Sequence, residues 1–325
     1  MTASPSRVAV IGAGIAGATA ARSLADAGFV VSLFEKARGP GGRMASRRTA
    51  RDPSAPSFDH GCQMLSEEAS IAPAEPWTHR LATVTGTEIT SMTERTRPVP
   101  TPRMNAPVAD LLKGIEATYA ARISRIETDG GTVTLHADTE NLGTFDRLII
   151  TAPAPQSHDL LKACAPTIAE HAAAVTYDPN WTLMLERPAE AGPLPFDCAE
   201  ITGHPVAWLC HDNAKPQRQS SGDPPGVERW IAQFAAEFSS NTIDEDPEAI
   251  APRLLAAAQD HLGQHTSLTQ KPHRWRYAFV TNPVGQPFIA EGPITAAGDW
   301  LLGNRAHHAA ESGSAAANAV IAELA

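Results

Sequence analysis

The chain has 325 residues and a formal charge of −10, from 26 Lys and Arg against 36 Asp and Glu, so about two domains with a substantial core are expected. The acidic balance gives no support to a nucleic-acid or anionic-membrane partner. No stretch reaches the roughly 18 uninterrupted apolar residues of a membrane span, and a cytoplasmic protein is expected.

The apolar run 8–21 has the look of a secretory segment, but three glycines interrupt it, and it reads as mature structure. Cysteines stand at 62, 164, 198 and 210. With no close pair, neither a redox dithiol nor a zinc ribbon is supported, and no metal site is expected.

Val8-Ala9-Val10-Ile11-Gly12-Ala13-Gly14-Ile15-Ala16-Gly17 reads as a buried strand, a glycine turn and a helix from roughly Ile15 to Asp26. This is the pattern of a dinucleotide site. Gly12 permits the tight turn, Gly14 leaves the backbone open to a pyrophosphate, and Gly17 lets the helix lie close to the strand. The helix start directs N–H groups and its positive dipole end at the phosphates. A second strand, 29–34, ends in Glu35, which is 35 − 14 = 21 residues beyond Gly14, about the spacing of the acid that accepts from a ribose diol. A carboxylate there repels a 2′-phosphate, which favours FAD or NAD over NADP. Only one such glycine fingerprint is present.

Arg38-Gly39-Pro40-Gly41-Gly42-Arg43-Met44 follows and resembles the G-G-R-M segment of the flavin amine oxidase superfamily. That resemblance implies FAD, with Arg43 along the pyrophosphate, where a planar charged fork suits a diphosphate. Phe58-Asp59-His60-Gly61-Cys62-Gln63-Met64 resembles the F-D-H-G-A-Q-Y segment of renalase-like flavoproteins. His273-Arg274-Trp275-Arg276-Tyr277-Ala278 matches their H-R-W-R-Y-A, and Gly298-Asp299-Trp300 their Gly-Asp-Trp. Cys62 stands where that family has alanine and is expected to be a small buried residue.

Between these motifs, residues 75–104 carry short β-prone pieces and four prolines. A helix begins near Asn105, a hairpin turns at Asp129-Gly130-Gly131, and a buried strand ends at Thr151. From Ser157 to Lys271, helical pieces 158–164 and 247–261 alternate with strand-like runs 181–185, 205–210 and 229–234. Asp244-Glu245-Asp246 is expected to be helix-start charge. Trp181 and Trp208 are each readable as cavity lining or as core.

The expected architecture is α/β: a Rossmann-type FAD-binding domain (1–74, 105–156 and 272–325) and a smaller α+β substrate domain with a mixed sheet (75–104 and 157–271). The resemblance implies non-covalent FAD held by Gly12, Ala13, Gly14, Ala16, Gly17, Glu35, Lys36, Gly42, Arg43, Met44, Gly61, Gln63, Met64, Ile126, Ala152, Gly298, Asp299, His308 and Ala309. Gln63, His307 and His308 are the candidates beside the chemistry. The two histidines replace the family's glutamate and glycine at the start of a small-residue helix, about 306–324.

The resemblance further implies oxidation of a dihydronicotinamide, an isomer of NAD(P)H, with O2 as electron acceptor and H2O2 as product. Such a reaction requires positioning more than a general base. An amine oxidase is less favoured, because only three tyrosines are present to build an aromatic cage. A flavin-binding protein without turnover stays open on the departure at His307 and His308.

Overall fold

The computed structural model describes residues 5–52, 54–219 and 222–325. The sequence reads as a polar, proline-bearing connection at 49–57 and a Pro-, Gly- and Ser-rich loop at 215–226; Pro53 of the first and Ser220 and Ser221 of the second lie outside the described residues. The chain forms two compact units, one of Met1–Gly42, Pro107–Tyr177 and Val280–Ala325, the other of Arg43–Ala106 and Asp178–Phe279.

The first unit is built on a six-stranded sheet in the order Ile289–Glu291, Ile294–Ala296, Arg147–Ile150, Arg7–Ile11, Val30–Glu35, Glu116–Tyr119. All pairings are parallel except that of the Ile289–Glu291 edge. Val8, Ala9 and Val10 are fully buried, as a central parallel strand covered on both faces requires. Helix Ile15–Asp26 packs on helix Ala306–Leu324. Gly313 permits the close approach, since a Cβ there would lie 2.1 Å from the Ala16 carbonyl oxygen. The hairpin expected at 129–131 joins Arg125–Asp129 to Thr132–Ala137, and Glu140–Phe145 completes a three-stranded sheet.

The second unit is an eight-stranded sheet in the order Ser267–Leu268, Tyr177–Pro188, Val227–Phe234, Val206–His211, Cys198–Thr202, Ala74–Thr85, Glu88–Pro100, with His273–Val280 also paired to Tyr177–Pro188. One face carries the core: Trp181, Leu183, Leu185, Trp230 and Phe234 pack with Ile250, Leu254, Ala258 and Leu262 of helix Pro247–Leu262. Asp246 caps that helix by accepting from the Glu248 and Ala249 N–H groups, which gives the acidic run its helix-start role. Trp181 is core.

The units divide the chain differently from the sequence expectation. The first break falls at Gly42/Arg43 rather than 74, because the ribbon Ser46–Arg48/Ser57–Asp59 delivers Asp59 to cations of the second unit. Residues 157–177 join the nucleotide unit, whose core takes Leu161, Ile168 and Ala172 from helices Ala154–Leu161 and Pro166–Ala173. Residues 272–279 belong to the second unit. The supposed short pieces of 75–104 are one long hairpin, Ala74–Thr85 with Glu88–Pro100. Among the described residues no helix is long and apolar enough to cross a membrane.

Candidate functional site

In the first unit, the parallel strands Arg7–Ile11, Arg147–Ile150 and Ile294–Ala296 run into the glycine turn, residues 151–153 and residues 297–299 at their carboxyl ends. Ligands bind at this edge in open α/β sheets. Gly12 has φ +105°, and Thr151 sits over it: an added Cβ would lie 2.5 Å from Thr151 Oγ1, which donates to the Ile11 carbonyl at 2.9 Å. At Gly17 an added Cβ would meet the Gly12 carbonyl oxygen at 1.9 Å, whereas at Gly14 it would meet nothing within 4 Å. The space a pyrophosphate needs is therefore open at Gly14 and filled at its two neighbours. No side chain caps the helix that starts here, so its first N–H groups are those an anion takes.

Glu35 closes the turn from the next strand. Its Oε2 accepts from the Ala13 N–H at 2.8 Å and its Oε1 from the Ala37 N–H at 2.7 Å. Each oxygen keeps a further lone pair, so this acid can orient the turn and still accept from a ribose hydroxyl. Gly41 donates to the Ala13 carbonyl at 2.9 Å, which returns the loop to the turn, and a Cβ at Gly42 would lie 3.3 Å from Gly14 Cα. Lys36 instead reaches Gln156 Oε1 at 2.7 Å. Ile126 is buried on its strand, and the Ala152 carbonyl is taken by the Ser157 hydroxyl at 3.0 Å.

At the third strand end, the Gly298 N–H donates to Ser312 Oγ at 2.8 Å, and Asp299 is buried at the start of the short helix Asp299–Leu302. His307 and His308 lie in the first turn of Ala306–Leu324, as the sequence places them, with ring centroids 4.2 Å apart. His308 packs on Gly303, where an added Cβ would lie 2.6 Å from its Nδ1, and that buried nitrogen has no hydrogen-bond partner. Ala309, the next residue of the helix, is buried.

Arg43, Met44, Gly61, Gln63 and Met64 belong to the second unit. The Arg43 carbonyl accepts from the Cys62 N–H at 2.8 Å, and Gly61 passes so close that a Cβ would sit 2.1 Å from that oxygen. The Arg43 side chain donates to the Ala278 carbonyl at 3.2 Å, and Met44 is buried. Gln63 donates to the Asp59 and Gly61 carbonyls and accepts from Lys215 Nζ at 3.0 Å. Half-buried Cys62 donates its thiol to the Met64 carbonyl.

Around Gln63 lies a buried ionic cluster that sequence reasoning missed. Lys215 is 2.9 Å from Asp212 and 3.5 Å from Asp59, and Arg218 is 2.8 Å from Asp59. Two cations and two anions offset one another, as burial of charge requires. Burial opposes the Lys215 charge, but Asp212, Cys210 and Asp59 outweigh it and raise the pKa. Burial likewise opposes the Asp59 charge, and Lys215 and Arg218 outweigh it to hold the carboxyl below its ordinary range. Both cations stand in a stretch whose Pro, Gly and Ser content reads as solvated loop, and no local signal announces them.

Beside this cluster His60 stacks on Trp275 with centroids 5.2 Å apart and meets His273 edge-on at 4.7 Å, while Trp275 Nε1 donates to the His60 carbonyl at 3.0 Å. Burial lowers the His60 pKa to about 3 and, with Arg47 adding to the effect, that of His273 to about 4. Both rings are neutral at pH 7. On the sheet face opposite the core, Met64, His79, Leu81, Arg95, Arg97, Glu200 and Trp208 line a cavity of about 300 Å³, which gives Trp208 the lining role.

Residues 10–71 match the family model of the NAD(P)-binding Rossmann-like domain. The fold extends over nearly the whole chain in solved structures. Cyclohexylamine oxidase from Brevibacterium oxydans IH-35A aligns at a TM-score of 0.71 and 13% identity, covering 99% of this chain and 100% of its own. An oxidoreductase from Methanosarcina mazei aligns at 0.68 and 12%, covering 97% and 100%. Putrescine oxidase, solved with putrescine bound, aligns at 0.67 and 10%, covering 98% and 99%. This chain shares their fold.

Proposed function

We propose that the protein is a FAD-dependent oxidoreductase that oxidises a dihydronicotinamide, an isomer of NAD(P)H, with O2 as the final acceptor and H2O2 as product. The observation that carries the reading is the glycine turn, with open space at Gly14, close backbone at Gly12 and Gly17, and Glu35 fixed on Ala13. The resemblance of residues 58–65 and 273–303 to renalase-like flavoproteins supports the choice of flavin and of substrate class. Bound FAD supplies hydride acceptance and electron delivery to O2.

The chain's own part is to hold and orient. The Ile15–Asp26 helix start takes the pyrophosphate, and the resemblance to flavin amine oxidases assigns Arg43 to the same phosphates. Glu35 takes the ribose diol, Asp299 the ribityl side, and the start of the Ala306–Leu324 helix, with His307 and His308, lies toward the flavin pyrimidine. The purified protein is expected to be yellow and to release its flavin into the supernatant on acid precipitation. A screen of dihydronicotinamide isomers under air, read as H2O2, tests the substrate. Amines belong in the same screen because solved structures of this fold include amine oxidases; amine turnover alone would replace the dihydronicotinamide reading. A colourless protein that binds no added FAD would remove both.

A further inference from the structure

The antiparallel pairing of Cys198–Thr202 with Val206–His211 closes the 12-residue gap between two cysteines and sets Cys198 directly opposite Cys210. Both are fully buried, and their sulfurs are 3.5 Å apart, with the Cys198 thiol donating to Cys210. Directly opposed residues in such a ladder have Cα atoms roughly 4.5 to 5.5 Å apart, inside the roughly 4.4 to 6.8 Å range that a disulfide spans. Bonding therefore needs side-chain rotation and no shift of strand register.

A small oxidant also has a place to stand. Leu81 lies opposite Cys198 in the register, and Glu200 and Trp208 form the next cross-strand pair on the same face. All three line the cavity of about 300 Å³. Burial and the bond to Cys210 raise the Cys198 thiol pKa, and the Lys215 ammonium acts against them. Cys62 and Cys164 have no such arrangement, each donating to a backbone carbonyl.

We propose that Cys198 and Cys210 are an oxidisable dithiol that hydrogen peroxide closes to a cross-strand disulfide. One sulfur, as thiolate, attacks a peroxide oxygen. The S–O bond forms as O–O breaks, and the departing hydroxide takes up the thiol proton as water. The second sulfur then attacks the sulfenic sulfur, forming S–S and breaking S–O, and the hydroxyl leaves with the second thiol proton as water. The two thiols lose two electrons and two hydrogens, and one peroxide becomes two waters.

The inference stands apart from the proposed function, because the test supplies the peroxide. The full chain is treated with H2O2, denatured, alkylated with N-ethylmaleimide and weighed. The expected result is that two of the four cysteines escape alkylation, that peptide mapping joins 198 to 210, and that dithiothreitol restores all four sites. The double variant Cys62→Ser with Cys164→Ser should behave in the same way at the 198–210 pair, and Cys198→Ser should form no intramolecular link. Four alkylated cysteines in treated wild type, a link to any other cysteine, or sulfinic acid at Cys198 in place of a link would each overturn the proposal.

Discussion

Glu35 Oε2 accepts the Ala13 N–H at 2.8 Å across 22 residues of sequence, so the acid that marks the second strand end also fixes the glycine turn of the first. Glu35→Gln keeps the shape but loses the charge on both backbone bonds and replaces one acceptor with a donor. Bonds to a charged acceptor contribute about 1.5 to 3 kcal/mol each. FAD affinity of the variant, read by titration of the apoprotein, is expected to fall by at least about tenfold, which is about 1.4 kcal/mol. Unchanged affinity would remove Glu35 from the site.

Arg43→Ala is expected to weaken FAD retention by roughly 1.5 to 3 kcal/mol through loss of a charge-assisted phosphate contact. The side chain also donates to the Ala278 carbonyl, so the unfolding midpoint of the apoprotein provides the control. A stability change as large as the loss of affinity would make Arg43 a strut rather than a ligand.

Much of the nucleotide unit was legible because its signals are local. Gly12, Gly14, Gly17 and Glu35 lie within one strand, helix and strand, and the helix Ile15–Asp26 ends where its pattern does. The remainder depended on distant partners. Asp59 reads as part of a local motif, yet it pairs with Lys215 and Arg218, 156 and 159 residues away, and this moves the unit boundary to Gly42. The hairpin 74–100 was obscured by its prolines, which disfavour a strand assignment. Pro98 and Pro100 lie on the edge strand Glu88–Pro100, where a missing N–H costs no ladder bond, and Pro76 faces Pro98 near the hairpin base. Cys198 and Cys210 meet only through a register that spacing does not reveal.

Asp59→Asn leaves Lys215 and Arg218 buried with one anion fewer. Breaking a buried ion pair from one side costs about 3 to 5 kcal/mol. The expected result is a lower urea midpoint with an unchanged denaturant slope. A loss under about 1 kcal/mol would mean that water reaches the cluster and screens it as it does a surface pair.

His60 and His273 should make the protein acid-sensitive well above the carboxylate range. Their folded pKa values, about 3 and about 4, lie below the unfolded value near 6.5. Between these limits the unfolded chain binds more protons, so stability rises with pH and is lost as pH falls below 6.5. Each neutral ring costs roughly 2 kcal/mol at about pH 5, at about 1.4 kcal/mol per pH unit. His273→Phe should flatten the slope of unfolding free energy against pH in this window, and an unaltered slope would show that the ring is hydrated.

The buried Nδ1 of His308, without a hydrogen-bond partner and packed on Gly303, makes the first turn of the last helix the sharpest place to test the proposed flavin site. If this helix start faces the flavin pyrimidine, the two imidazoles stand where the positive end of the helix favours the negative charge of the reduced ring, and what occupies these positions sets the flavin potential. Restoring the residues of the renalase-like family, His307→Glu with His308→Gly, removes both imidazoles. The expected outcome is a lower flavin potential than that of the wild type, because the introduced carboxylate opposes the negative charge of the reduced ring, together with altered reduction rates by dihydronicotinamide isomers. An identical flavin potential and substrate preference in the two proteins would show that neither histidine acts on the flavin.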